Sequence, residues 1–304
     1  MRNTLRAACY HALFAGQGLA GCRGSAIRNA ERTFAGKSLI FCITNGRSGT
    51  RTLASLFGCL PNVDAFHEAK PSFHLLMRWV QGNPALARDF WLYAKLPAIA
   101  VSPKPVYLDS SHLVAKGYLE PLLELGGRPK LIVLKRDARL IARSMLALGD
   151  IPGRSKRALK WYLSPADPVF GGLRAAERLT DYQLCYWHAL ETEERQRHYR
   201  HLAQALGLTV AEADTRTLNE LPAFEALCTE VGLAVTEEAR TKLSERIGRT
   251  LNARTREKTT PSIGTIEDLD AAEAEVRRLM TTVVPVRKRG SSVGAYLATA
   301  LRNI

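Results

Sequence analysis

The feature that most constrains the fold is an apolar segment that runs directly into a glycine-containing loop and a helix. Residues 39–43 are Leu-Ile-Phe-Cys-Ile, a run whose length and β-branched content are typical of a buried parallel strand. A tight loop follows at 45–49, and Thr50 to Leu56 reads as the first turns of a helix. Backbone N–H groups and the positive end of the helix dipole then converge on one point. The segment predicts either an anion site or an ordinary turn between strand and helix.

A second segment has the same organisation. Residues 131–134 form another apolar run, which leads through a polar turn into a helix that continues to Met145. Arg136 leaves the end of this strand, and Ser144 follows eight residues later. If the two strands are parallel neighbours, both side chains lie near the first loop, since ligands of open α/β sheets bind outside the carboxyl ends of strands. Two such anion sites in one sheet suggest a ligand with two separated anionic groups.

Charge and size are consistent with this prediction and widen the choice of ligand. The chain has 304 residues, enough to bury a sizeable core as one large α/β domain or two small ones. A formal net charge of +14 favours anionic partners: nucleotides, acidic glycans, nucleic acid or a membrane surface. The six cysteines are irregularly spaced and contain no C-x-x-C pair, so we expect reduced thiols and neither a disulfide framework nor a zinc site.

The N-terminal 37 residues are rich in arginine and contain no acidic residue before Glu31. They fit either an organelle transit peptide or a short amphipathic helix with a linker, and we favour the second. No segment approaches the roughly 20 apolar residues of a membrane-spanning helix. Gly36-Lys37-Ser38 is not a Walker A loop, because Glu31 stands where the first glycine belongs and a strand follows instead of preceding it.

The two strand–loop–helix segments resemble motifs of a known family. Residues 44–50 (Thr-Asn-Gly-Arg-Ser-Gly-Thr) look like the 5′-phosphosulfate loop of sulfotransferases that use 3′-phosphoadenosine 5′-phosphosulfate (PAPS). Residues 133–139, together with Ser144, are similar to their 3′-phosphate motif, including the interval of eight. The likeness extends over about residues 39–148. The sequence departs from the family at Arg51, where a small hydroxyl residue is usual, and at Ala138, where proline is common.

This resemblance implies a three-layer α/β/α fold with a central, mainly parallel sheet, the P-loop NTPase-like fold of sulfotransferases. Residues 1–37 would be an N-terminal helix or extension and residues 38–304 a single domain, with a basic loop and tail from about 251. No metal is expected, because the loop and Arg47 would do what Mg²⁺ does in kinases. Thr50 and Thr52 are both candidates for the hydroxyl that meets the 5′-phosphate. The residues assigned to PAPS are Arg47, Ser48, Gly49, Thr50, Arg51, Thr52, Arg136 and Ser144.

The resemblance also suggests three catalytic residues. Arg47 would stabilise charge on the bridging oxygen. Glu68 lies in a segment resembling the one that supplies the general base of protein-tyrosine and several bacterial sulfotransferases. His112 is the rival base, since it follows the strand 106–109 where cytosolic sulfotransferases carry a Lys-Thr-His sequence, although Ser110 replaces the lysine. A basic stretch at 251–258 corresponds to the family's loop over the 3′-phosphate, with Arg254, Arg256 and Lys258 as candidates.

The predicted activity is sulfuryl transfer from PAPS to a hydroxyl or amine of a small-molecule, glycan or lipid acceptor in the cytoplasm. Two alternatives remain at this point. One is a P-loop kinase, disfavoured because the loop lacks the Gly-Lys-Ser/Thr ending. The other is a non-catalytic basic protein that binds nucleic acid or polysaccharide, which explains the charge but not two ordered anion sites. We expect no nucleic-acid partner, and the sequence does not identify the acceptor.

Further elements follow from local patterns. We expect helices at 86–94, 180–207, 217–232 and 237–247, with Gly207 as a C-cap signal. A last strand is expected at 208–210, and a loop-rich stretch at 149–172 as an edge over the site. Asp109, after three apolar residues, imitates the carboxylate of a Walker B strand.

Overall fold

A five-stranded parallel sheet forms the centre of the molecule. The structure, a computed structural model, describes residues 22–248 and 268–282. The order in the sheet is β2-β3-β1-β4-β6, and every neighbouring pair is parallel. β5 and β7 form a separate antiparallel pair. The strands are β1 (Ser38–Thr44), β2 (Val63–Phe66), β3 (Val106–Asp109), β4 (Lys130–Leu134), β5 (Gly171–Leu173), β6 (Val210–Ala213) and β7 (Met280–Thr282).

Helices cover both faces of this sheet, which confirms the predicted three-layer α/β/α class. The helices are α1 (Arg23–Gly36), α2 (Thr50–Phe57), α3 (Met77–Val80), α4 (Pro84–Phe90), α5 (Leu96–Ala100), α6 (Leu119–Glu124), α7 (Ala138–Ala147), α8 (Ala158–Trp161), α9 (Asp181–Ala205), α10 (Thr215–Asn219), α11 (Leu221–Glu230), α12 (Glu237–Arg246) and α13 (Leu269–Leu279). One layer contains α2, α10, α11 and α12. The other contains α1, α3 to α7 and α9. None of the helices described is long and apolar enough to cross a membrane.

The central strand is apolar on both sides because both layers pack on it. Leu39, Phe41 and Ile43 belong to one core cluster, and Ile40 and Cys42 to the other, as the two-residue period of a strand requires. All five side chains are at most 4% exposed. Fully burying one large apolar side chain contributes about 1.5–3 kcal/mol, so this strand is a major source of stability and takes the central position.

The order in which the strands are added reverses between β1 and β4: β3 and β2 lie on one side of β1, and β4 and β6 on the other. The helix after β1 (α2) packs on one face, whereas the helix after β4 (α7) packs on the other. This arrangement opens a crevice at the carboxyl ends of the two strands, where ligands of open α/β sheets bind. Gln196 of α9 braces that edge, since its Nε2 donates to the carbonyls of Ile43 and Leu134, each at 3.0 Å.

Most local predictions are confirmed, with differences at element boundaries; the last strand, predicted at 208–210, is β6 at Val210–Ala213. α9 begins with a capping box between Thr180 and Gln183, and Gly207 has the left-handed conformation of a C-cap residue. The helix predicted at 217–232 is in fact α10 and α11, because Glu220 is extended and Pro222 starts a new helix. The helix predicted at 86–94 is α4 followed by a π-helical turn at Trp91–Lys95. The predictions for residues 1–21, for the basic stretch 251–258 and for the tail beyond 282 lie outside the described residues.

Candidate functional site

The loop between β1 and α2 has the geometry of an anion cradle. Arg47 and Gly49 both have positive φ angles, 88° and 94°. Gly49 is the N-cap residue, and no side chain caps the helix, so the first N–H groups of α2 keep their capacity to bind an anion. Ser48 is 3% exposed, and its Oγ has no hydrogen-bond partner among the described residues. A buried hydroxyl of this kind is expected to have a partner, and an oxyanion supplies one.

Neighbouring side chains hold this loop in place. Glycine suits position 49 because its φ of 94° is one that other residues rarely adopt, and a Cβ atom there would lie 2.6 Å from Leu218 Cδ1, which would have to shift. A Cβ on Gly46 would lie 3.0 Å from the ring and the hydroxyl of Tyr162 and 3.3 Å from His112 Nε2. Tyr162 and His112 therefore lie directly against the loop.

The second motif, residues 133–139 with Ser144, lies against the same loop, as the sequence predicts for parallel neighbouring strands. Arg136 Nη1 donates to the carbonyl oxygen of Arg47, and Arg47 Nε donates to Ser144 Oγ at 3.1 Å. Burial, then the nearby Arg47 charge, lowers the pKa of Arg136. The structure thus brings together Arg47, Arg136 and Ser144, from two separate segments of the chain.

A basic cleft of about 240 Å³ opens beside this contact. Asn45 is fixed at its floor, where its Oδ1 accepts from Thr192 Oγ1 at 2.7 Å and its Nδ2 donates to the Ala189 carbonyl at 3.4 Å. Four of the lining residues are Lys or Arg and one is Glu, a balance that suits an anionic ligand. The lining residues are Asn45, Ser48, Leu134, Lys135, Arg136, Glu193, Gln196, Arg197 and Arg200.

Both candidate bases lie together on the other side of the loop. Glu68 Oε1 is 3.5 Å from His112 Nε2 and 3.9 Å from His67 Nε2. Burial, then the Asp109 charge, raises the pKa of Glu68 to about 7. Burial lowers the pKa of His67 to about 4, aided by the Arg51 charge. At neutral pH the carboxyl group can therefore exchange a proton while the two imidazoles stay neutral.

The backbone of Glu68 is held by a buried ion pair. Glu68 has a φ of 59°, and its N–H donates to Asp109 Oδ1 at 3.1 Å. Asp109 Oδ2 accepts from Lys95 Nζ at 2.8 Å, and both side chains are inaccessible to solvent. Asp109 is thus engaged in supporting Glu68, which explains the acidic strand end that resembles a Walker B carboxylate.

The remaining predicted site residues differ in burial. Thr50 is buried, Thr52 is half-buried and Arg51 is exposed. Arg51 faces the Glu68 side of the loop, where its charge acts on Glu68 and His67. Ser110, which replaces the family's lysine, donates to the Thr50 carbonyl at 2.8 Å and so ties the end of β3 to α2.

Several residues of the site were missed by the sequence analysis. Tyr162 stacks on His112 with ring centroids 5.4 Å apart, and Lys116 Nζ lies 3.1 Å from His112 Nδ1. Asp150 is fully buried and lies 3.2 Å from Arg157 Nε. The lysine four residues after His112 was a signal available in the sequence, whereas the contact of Tyr162 with His112 depends on tertiary packing.

Comparison with known proteins adds no family: no family model matches the chain, and the search of curated proteins found no match. The resemblance to sulfotransferases therefore rests on the two sequence motifs.

Proposed function

We propose that this protein is a PAPS-dependent sulfotransferase. The observation that carries the proposal is the meeting of two strand-end anion sites at Arg47, whose carbonyl binds Arg136 and whose guanidinium binds Ser144. A nucleotide with both a 5′-phosphosulfate and a 3′-phosphate needs two such sites a short distance apart. A kinase substrate such as ATP has no 3′-phosphate and so would not need the second site.

The residues present fit the two ends of PAPS. Ser48, with its unpartnered buried hydroxyl, and the uncapped start of α2 would hold the 5′-phosphosulfate. Arg136 and Ser144 would hold the 3′-phosphate, because a dianion favours a guanidinium over a neutral donor. When bound, PAPS supplies the sulfuryl group. The side chains of this chain bind it and, through Arg47, stabilise the charge that develops on the oxygen leaving sulfur.

Glu68 is our choice of general base. Its side chain is 21% exposed, whereas that of His112 is 4% exposed, so an acceptor hydroxyl can reach the carboxylate more easily. In the balanced reaction the acceptor O–H bond breaks, an O–S bond forms, and the sulfur–oxygen bond to the 5′-phosphate breaks. The proton goes to Glu68, and adenosine 3′,5′-bisphosphate is the second product. Arg47 supplies the positive charge that a metal ion would otherwise provide.

We also propose a reducing, cytoplasmic location, supported by buried free thiols at Cys42, Cys59, Cys185 and Cys228. Small-molecule, glycan and lipid acceptors remain open.

Nucleotide binding tests the proposal directly. Purified protein is titrated with adenosine 3′,5′-bisphosphate, ADP and ATP, with and without Mg²⁺, while the melting temperature is followed. A ligand at 100 times its Kd stabilises by about 2.7 kcal/mol, a clearly measurable shift. We expect a shift with the bisphosphate that is lost in Arg136→Ala and kept in Arg143→Ala, an exposed arginine of α7. A shift with Mg·ATP alone would overturn the proposal in favour of a kinase.

A further inference from the structure

A buried lysine lies behind the two candidate bases. Lys116 is 1% exposed, and its Nζ is 3.1 Å from His112 Nδ1 and 3.0 Å from the Trp161 carbonyl oxygen. The amine also lies 5.3 Å from the centre of the Tyr162 ring, which stacks on His112. Lys116, His112 and Glu68 thus form a continuous line from the interior to the mouth of the site.

The surroundings of this line favour neutral groups. Burial, followed by the Arg195 charge, lowers the pKa of Lys116 well below its usual range. Burial and the neighbouring Lys116 likewise hold the pKa of His112 well below its usual range. The imidazole is therefore uncharged at neutral pH. The other titratable groups that face them are Glu68 and His67 at the mouth, and Arg78, His188 and Glu191 on the packed helices.

These contacts bear on where the imidazole carries its proton. Lys116 Nζ donates one hydrogen to the Trp161 carbonyl, and it has a further hydrogen that His112 Nδ1, 3.1 Å away, can accept. With Nδ1 as the acceptor, the ring proton lies on Nε2, which is 3.5 Å from Glu68 Oε1.

We propose that Lys116 is a positioning residue that holds the His112 ring proton on Nε2, directed toward the Glu68 carboxylate 3.5 Å away. This inference rests on the proposed function in which Glu68 is the general base. The donor orients the carboxylate and stabilises its ionised form. It also removes His112 from competition as the base, because the nitrogen that faces the site already carries a proton.

Losing the amine has a definite consequence. In Lys116→Met the imidazole is free to carry its proton on Nδ1, which leaves the Nε2 lone pair facing Glu68. A lone pair there favours the protonated carboxyl, so the pKa of Glu68 rises. We expect the acidic limb of the kcat profile to move up by about one pH unit, and kcat at pH 7 to fall about fivefold.

A double-variant experiment separates this role from a structural one. The glutamine in His112→Gln carries its own N–H donor and needs no help from Lys116. Adding Lys116→Met to that background should therefore leave the pH profile unchanged. Lys130→Met is the control, since this lysine donates to the Val231 carbonyl at the other end of β4. An equal shift of the profile in both backgrounds would overturn the proposal.

A spectroscopic readout makes the test independent of turnover. The ring nitrogen shifts of His112, measured by ¹⁵N–¹H NMR, report the tautomer in wild type and in Lys116→Met. We expect Nε2–H in wild type and Nδ1–H in the variant. An Nδ1–H ring in wild-type protein overturns the proposal even if Lys116→Met does not fold. The melting-temperature shift with adenosine 3′,5′-bisphosphate should persist in all these variants, and its absence from wild type would count against the sulfotransferase proposal instead.

Discussion

Arg47 Nε donates a hydrogen bond of 3.1 Å to Ser144 Oγ and so joins the loop after β1 to the helix after β4. The guanidinium of Arg136 completes the connection by binding the carbonyl oxygen of Arg47. Residues nearly one hundred positions apart thereby form one basic surface at the crevice of the sheet. If anions bind at both proposed sites, we expect each to alter the position of Arg47 and so to couple the occupancy of the two sites.

Replacing Ser144 tests the 3′-phosphate end of this surface. Ser144→Ala removes a hydroxyl donor to a charged group, a contact worth about 1.5–3 kcal/mol. We therefore expect the affinity for adenosine 3′,5′-bisphosphate to fall at least about tenfold, whereas the affinity for ADP stays the same. Calorimetric titration measures both. Ser244→Ala, in the exposed α12, is the control, and an equal loss for both nucleotides would place Ser144 outside the 3′-phosphate site.

The raised pKa of Glu68 predicts the pH dependence of turnover. A general base acts as the carboxylate, and a pKa of about 7 leaves that form in the minority at lower pH. We expect kcat/KM to rise about tenfold per pH unit below pH 7 and to level off above it. Glu68→Gln should lower turnover by about 10²-fold or more and flatten the profile. The control is Glu225→Gln, since the carboxylate of Glu225 binds Arg240. Normal turnover in Glu68→Gln would transfer the role of base to His112.

The same pKa predicts an effect on stability that requires no substrate. The folded pKa of Glu68 lies above the ordinary value of 4.5, so between these two values the folded chain binds more protons than the unfolded chain. Stability then falls as pH rises through this window. Urea unfolding at pH 5 and pH 8 should show a larger loss in wild type than in Glu68→Gln, which cannot ionise. Identical losses in the two proteins would show that burial does not perturb this carboxyl group.

The local sequence pattern was sufficient to predict the two strand–loop–helix units of the candidate site. The apolar run before Asn45 and the interval from Arg136 to Ser144 predicted two strand–loop–helix units, and parallel pairing of β1 with β4 confirmed the condition on which their meeting depended. These signals are local because strand periodicity and helix starts depend on adjacent residues. The meeting itself needed only the rule that ligands bind at strand ends.

Long-range packing determines the parts that the sequence did not reveal. Lys116 meets the Trp161 carbonyl across 45 positions, and Gln196 of α9 reaches β1 across 153. Neither residue belongs to a motif, so each reads as an ordinary helix or turn residue. The division between α10 and α11 was different, because Pro222 signalled it in the sequence.

The buried pair of Lys95 and Asp109 should prove essential to stability and to the position of Glu68. Removing one partner of a buried ion pair leaves an uncompensated charge and costs about 3–5 kcal/mol. We expect a loss of this size in Lys95→Met and in Asp109→Asn, measured by denaturant unfolding. The double variant should lose much less than the sum, since no charge remains and the side-chain oxygen of the introduced asparagine can still accept from the backbone.

Turnover should depend on a hydrogen-bond acceptor at position 109 and not on a negative charge there. The Glu68 N–H needs an oxygen there to hold its positive φ, and Asn offers one whereas Leu does not. In the Lys95→Met background, Asp109→Asn should keep most of the turnover of wild type and Asp109→Leu should lose it. Lys242→Met, which breaks an exposed pair with Glu238, should change neither stability nor turnover. Equal activity of the Asn and Leu variants would mean that Asp109 supports the fold without positioning the base.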